Sequence, residues 1–153
     1  MPREQSIACR QSVRPVLPSK CPPSPGPKVS SQELYDNAYG LYKQGRYDDA
    51  REGFRRYVEL HPDTPLTDNA LFWMGETYYD QGRYEQAILE YDKVVQKFPN
   101  GDKVASALLK QAFAFDAIGD PVDARILLKK IVRDHPATEQ AGIARKKLEI
   151  LGE

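Results

Sequence analysis

The sequence predicts an all-α protein, a solenoid of three helical hairpins closed by a C-terminal capping helix. Three observations carry that reading. From Ser31 onward the chain repeats itself every 37 residues: Pro62, Pro99 and Pro136 keep this spacing, as do Gly45, Gly82 and Gly119, and Ala50, Ala87 and Ala124. Side chains of core size keep the same beat: Leu34, Leu71 and Leu108; Leu41, Tyr78 and Phe115; Phe54, Tyr91 and Leu128; Val58, Val95 and Val132; with a small residue at Ala38, Gly75 and Ala112. Within a unit the apolar residues fall at helical intervals, as Leu34, Ala38 and Leu41 do at i, i+4 and i+7. Self-similarity at this period marks units that cannot bury their own apolar faces and must stack.

Residues 1–30 lie outside the repeat and read as a disordered Pro-rich linker or tail. They hold seven of the 12 prolines, both cysteines, and five basic side chains against the single acid Glu4. Proline at that density removes backbone donors and favours extended conformers, with few large apolar residues to bury. No basic start followed by an apolar run of ~7–15 residues occurs there, so no secretory signal is expected in it. Ile7-Ala8-Cys9 faintly resembles the end of a lipoprotein cleavage site, but no apolar run precedes it, and Cys9 is expected to be an exposed thiol. A Cys9–Cys21 disulfide would need an oxidising compartment.

The repeat domain spans residues 31–153, with units at about 31–64, 68–101 and 105–137. The first helix is placed at 31–44, where Ser30 and Glu33 have the spacing of a capping box and Gly45 suits the left-handed turn after a helix. The second runs over 47–60, with Ala50, Phe54, Tyr57 and Val58 on its apolar stripe. Small Ala38 and Ala50 let these two helices approach closely. The same reasoning gives helices at 67–81, 84–97, 103–118 and 121–134, the last starting at Pro121, whose missing N–H costs little in a first turn. A seventh helix at 138–151 sets Ile143, Leu148, Ile150 and Leu151 among Arg145, Lys146 and Lys147. It has no partner helix after it and is expected to be the solvating cap.

Composition excludes several functions. Lys+Arg and Asp+Glu stand at 22 each, which argues against nucleic acid or an anionic membrane as the main partner. No apolar run approaches the ~18–20 residues of a membrane span, and two histidines with two cysteines do not make a conventional zinc site. Catalysis finds no support. Asp48-Asp49 and Asp134-His135 are adjacent pairs without a third group to orient them. His61 and His135 hold equivalent repeat positions, with Phe98 between, and read as turn-packing residues. No cofactor or metal is expected.

The units resemble the tetratricopeptide repeat (TPR), whose consensus is about 34 residues long, at Leu71, Gly75, Tyr78, Gly82, Tyr84, Ala87, Tyr91 and Pro99. The 37-residue step then puts three extra residues in the inter-repeat turn, and the resemblance implies a right-handed superhelix. Residues 31–151 also resemble the periplasmic Tol–Pal-associated cell-division coordinator family. The features responsible are the stretch from Asn69 to Tyr79, Ala107-Leu108-Leu109-Lys110, and Ala144-Arg145-Lys146-Lys147-Leu148. Members of that family usually begin with a signal peptide and a trimerising coiled coil; residues 1–30 contain only a linker-like part, so a monomer is expected of this chain. The resemblance implies a periplasmic adaptor that binds TolA or another envelope protein and couples envelope constriction to peptidoglycan synthesis in cell division. The alternatives are a TPR subunit of an outer-membrane assembly or secretion complex, and a cytoplasmic location.

In TPR proteins the first helices of successive units line a concave groove. One step around the helix from the core positions of unit one come Tyr35, Tyr39 and Tyr42. Unit two offers Phe72 and Tyr79 there with Trp73 beside them, and unit three offers Leu109 and Phe113. Trp73 lies roughly 200° around from Leu71, away from the buried face. All nine tyrosines fall between Tyr35 and Tyr91. Rings offer large contact area at low entropic cost, so Tyr35, Tyr39, Tyr42, Phe72, Trp73, Tyr79 and Phe113 are the expected peptide-binding residues. The competing expectation is that some pack against the neighbouring first helix. Asp36, Glu76, Asp80 and Asp116 would favour a ligand bearing Lys or Arg, and no basic clamp for a terminal carboxylate is expected. Arg125, Lys129, Lys130, Arg133, Arg145, Lys146 and Lys147 form a basic cluster read mainly as a solvated face.

Overall fold

The computed structural model describes residues 28–152, and every expectation for residues 1–27, including the tail, the cleavage-like site and Cys9–Cys21, lies outside the described residues. Seven α-helices follow one another with no strand among the described residues: α1 (Ser31–Lys43), α2 (Tyr47–Leu60), α3 (Thr67–Asp80), α4 (Tyr84–Lys97), α5 (Val104–Ala117), α6 (Pro121–Asp134) and α7 (Glu139–Leu151). Each packs mainly on its neighbours in sequence, which is the contact order of a solenoid. The sequence-based helices agree with these to within one or two residues at either end, the margin by which helix ends fray.

The local chemistry explains the breaks. Ser30 accepts from the Glu33 amide while the Glu33 carboxylate accepts from the Ser30 amide, each at 3.1 Å, closing the capping box at α1. Gly45, Gly82 and Gly119 stand just past the first helix of each hairpin at φ of 76, 73 and 86°. A side chain would be strained there, so these three glycines turn α1 into α2, α3 into α4 and α5 into α6. Pro121 opens α6 with Asp120 capping the Asp123 amide at 3.1 Å. The hairpin turns take three residues, while six separate α2 from α3 and α4 from α5. The residues added to the TPR consensus therefore sit between repeats.

The core changes character along the stack. Phe54, Tyr57, Phe72 and Tyr91 dominate repeats one and two, whereas Leu108, Leu128, Ile131 and Leu148 fill repeat three and the cap. Each sealed side chain of this size stabilises by about 1.5–3 kcal/mol. Gly75 makes the aromatic half possible. A Cβ at this position would sit 2.5 Å from the Tyr91 ring, so the tyrosine lies directly on α3 backbone and its hydroxyl donates to Glu76. In repeat three the equivalent pair is Ala112 and Leu128, both sealed.

The cap buries only part of its apolar set. α7 docks through Ala141, Ala144 and Leu148, while Ile143 and Ile150 are exposed. Alanines let the helix sit close against α6, and that register turns both isoleucines outward. At the places where α3 and α5 carry Leu71, Gly75, Leu108 and Ala112, α7 carries Arg145 and Glu149, which solvate its outer face.

Candidate functional site

α1, α3 and α5 lie side by side, and six of the seven ring residues singled out above, all but Phe72, share the face they form. The face is a packed surface rather than a row of free rings. Tyr35 stands edge-on to Phe54 and Tyr57, with centroids 5.6 and 5.8 Å away. Tyr39 and Tyr42 stack on each other at 6.3 Å, and Trp73 of α3 covers both, at 4.9 and 5.0 Å. Tyr79 packs edge-on to Tyr84 at 5.1 Å. Tyr35, Tyr39, Tyr42, Trp73, Tyr79 and Phe113 keep part of their surface open.

Two of the expected positions need correction. Phe72 is only 8% exposed. It is held between Trp73 and Tyr91, each at 5.7 Å, and covered by Lys103 at 5.4 Å, so it belongs to the core. Trp73 does not point away from buried surface. The turn of α3 relative to α1 carries it back over the first repeat, and it becomes the wedge between the two helices. A helical wheel drawn on α3 alone places Trp73 opposite Leu71, but leaves out the neighbouring helix that covers that side.

The 37-residue frame shows what Trp73 does. Its equivalents are Lys110 and Lys147. Lys110 lies 3.9 Å from the Tyr79 ring centroid and 3.3 Å from the Glu76 carboxylate. Lys147 lies 5.9 Å from the Phe113 ring and 2.7 Å from Asp116. At every joint, then, one residue reaches back to the same two positions of the preceding first helix: Tyr39 and Tyr42, then Glu76 and Tyr79, then Phe113 and Asp116. The first joint is aromatic on aromatic. The other two set an ammonium between a ring and a carboxylate, where cation–π attraction and ion pairing act together. Sequence reasoning counted Lys147 in a solvated basic cluster and gave Lys110 no part in the face, although both sat on the repeat beat and each faced a ring–acid pair three residues apart.

Electrostatics on this face are settled largely within the chain. The Tyr42 hydroxyl donates to Asp80; burial and that neighbouring carboxylate push its pKa well above the usual phenol range. Burial raises Tyr79 and Tyr35 as well. Glu76 is raised chiefly by burial, against the opposing pull of the Tyr91 hydroxyl and Lys110. The acids expected to attract a basic ligand are accordingly occupied: Glu76 by Lys110 and Tyr91, Asp80 by Tyr42, Asp116 by Lys147, and Asp36 by Gln32 at 2.9 Å. Lys43 lies over the Tyr39 ring at 5.0 Å. This is a mixed, self-neutralised surface with polar edges on its rings.

The remaining candidates have structural roles. Asp48 accepts from Arg51 at 2.9 Å and Gln81 at 3.2 Å, and Asp49 pairs with Arg46 at 2.7 Å. Asp134 accepts from Lys130 and Arg133, which hold its carboxyl well below the usual range. His61, Phe98 and His135 terminate α2, α4 and α6 with closely similar backbone angles. Among the described residues no three His, Cys, Asp or Glu side chains gather to hold a metal, and no helix is long and apolar enough to cross a membrane. In the basic cluster, Arg125 donates to the Leu151 carbonyl and Arg145 to that of Pro136, at 3.4 and 3.2 Å.

Comparison with known proteins agrees with this architecture. Tetratricopeptide-repeat profiles match residues 35–102 and 106–138. The outer membrane protein assembly factor BamD of Neisseria gonorrhoeae is 27% identical over 122 residues, covering 68% of this chain and 45% of that protein. The cell division coordinator CpoB of Pseudomonas putida is 33% identical over 52 residues, 34% of this chain and 19% of that protein. The chain thus spans under half the length of the curated relatives it matches. Among solved structures, PcrH from Pseudomonas aeruginosa superposes with a TM-score of 0.71 at 20% identity, covering 84% of this chain and 96% of that one. PcrH in complex with the chaperone binding region of PopB gives 0.65 at 18%, covering 83% and 98%. At such identities the likeness speaks for the fold.

Proposed function

The chain belongs to the tetratricopeptide-repeat superfamily, and from that premise we propose that it is a non-enzymatic docking module of the cell envelope, serving outer-membrane protein assembly by holding a segment of a partner protein. The single observation that carries the docking role is the α1–α3–α5 face. It keeps Tyr35, Tyr39, Tyr42, Trp73, Tyr79 and Phe113 partly open along one surface, fixed by the joints beneath. Rings held in place lose little entropy on binding, and their polar edges can satisfy the backbone of an extended or helical segment. With the acids of this face already paired, ring contact and hydrogen bonding carry recognition more than net charge does.

Extent of similarity favours the assembly role over the division role. The likeness to the assembly factor runs through two thirds of the chain, that to the division coordinator through one third. A Tol–Pal adaptor that binds TolA is the second reading, supported by the higher identity over that shorter stretch. The periplasmic side of the envelope is the location that goes with either.

Photo-crosslinking on the full chain tests both levels. A crosslinker at Lys43, beside Tyr39, is compared with one at exposed Arg56 on α2, in envelope extract. Capture of barrel-assembly components from Lys43 and not Arg56 is the expected result. Capture of TolA alone would reverse the order of the two readings, and equal capture from Arg56 would remove the face from the account.

A further inference from the structure

On the other side of the stack, α2 and α4 part over α3 and leave a groove of about 420 Å3. Leu71, Met74 and Val58 contribute its apolar lining, and Glu90 stands among them. Glu90 is 8% exposed. Lys93 donates to its Oε1 at 2.9 Å, and Oε2 has no hydrogen-bond partner. A buried carboxylate oxygen left idle is costly and needs an explanation.

The repeat supplies an internal control. The next groove along, between α4 and α6 over α5, is about 310 Å3 and is lined from equivalent positions, with Val95 for Val58, Leu108 for Leu71 and Leu127 for Glu90. In repeat one the position is Gly53. Stacking therefore accepts glycine or leucine at this place and does not require a buried acid.

We propose that the α2–α4 groove is a second binding site, which takes a lysine or arginine side chain of a protein partner and uses Glu90 as its anion. The methylene stem of either residue suits the Leu71, Met74 and Val58 lining, and its head carries the N–H that the idle oxygen lacks, in a charge-assisted bond. Of the other charges of the groove, Arg51 is committed to Asp48 and the Tyr78 ring and Arg55 to Glu52 and Glu59, while Lys97, also on the lining, is exposed and its charge is solvated. The terminal torsion of a glutamate is soft, so a small turn presents the second oxygen, and half-exposed Lys93 on the rim can give way. The site is separate from the α1–α3–α5 face and stands whether or not that face docks a partner.

Isotope-labelled full chain is titrated, following amide shifts, with N-acetyl-arginine methylamide, N-acetyl-lysine methylamide and N-acetyl-norleucine methylamide. Concentrations run to about 50 mM, above the ~1–10 mM Kd reachable by one side chain. Saturating shifts at Val58, Leu71, Met74 and Glu90 are expected from the two basic probes, at least ~10-fold weaker from norleucine. They are lost in Glu90→Leu, whose thermal midpoint equals or exceeds the parent's. Should Glu90→Leu fail to fold, Glu90→Gln answers the same question through the same shifts. Absence of saturable shifts in this groove, an equal response to norleucine, or undiminished binding by the Glu90 variants would overturn the site.

Discussion

Trp73, Lys110 and Lys147 hold one position of the 37-residue frame, and each closes a joint between neighbouring first helices. Between repeats one and two the joint is an indole laid over Tyr39 and Tyr42. Between repeats two and three, and again at the cap, it is an ammonium held by a ring and a carboxylate. The same division runs through the core, aromatic in the first half and aliphatic in the second. One backbone geometry thus tolerates two solutions, provided each fills the same space and leaves no polar group stranded. They differ in sensitivity: burial of rings is indifferent to salt, whereas ion pairs weaken as salt screens them.

The largest expected effect breaks the aromatic joint. Trp73→Ala removes a large, part-exposed ring and should cost about 2–3 kcal/mol, to the same extent at low and high salt in denaturant unfolding. A cost that shrinks with salt would show that the joint is not held by ring burial. Gly75→Ala should come next, at about 1–3 kcal/mol, because its Cβ collides with the Tyr91 ring. Adding Tyr91→Leu re-creates the alanine–leucine pair of repeat three and should return part of the loss in the same assay. No recovery would mean that the two halves of the core are not interchangeable.

Lys110→Met tests the polar joint. It keeps the stem over Tyr79 but leaves the buried Glu76 with the Tyr91 hydroxyl and no counter-charge, and about 1–2 kcal/mol should be lost at low salt. Lys147→Met, at a more open pair, should cost about 0.5 kcal/mol. The stability difference from the parent should narrow in high salt for both. The smallest effect concerns pH. Burial raises Glu76 above the ordinary glutamate range, so the folded chain holds that proton more tightly than the unfolded chain does. Stability then falls as pH rises from the ordinary range through the raised value, and is level on either side. Glu76→Gln should flatten this slope, while the slope of the same sign from Asp68, also raised by burial, persists. An unchanged slope in the unfolding free energies would show Glu76 to be ionised freely in the fold.

Much of the candidate site was legible residue by residue and not as an arrangement. Tyr35, Tyr39 and Tyr42 announce themselves as a stripe one step from the core of α1, and the structure does place them on the face shared by the first helices. Phe72 shows where such reasoning stops. By angle it belongs with Tyr35, but Tyr91 reaches it across the space Gly75 leaves open. Glu90 gave no signal in sequence, because a glutamate on a helix between Leu89 and Tyr91 reads as ordinary solvent-facing polarity.

The 37-residue beat, the helical spacing inside it and the glycines that turn left-handed were enough to determine seven helices, their order and their breaks. All of these depend on contacts or torsions local to one hairpin. The tilt of one hairpin on the next depends on side chains 37 residues apart meeting in space. Only the assembled stack decides that Trp73 turns inward as a wedge, that Lys110 and Lys147 cover rings, and that Glu90 lies buried where its repeat neighbours are glycine and leucine.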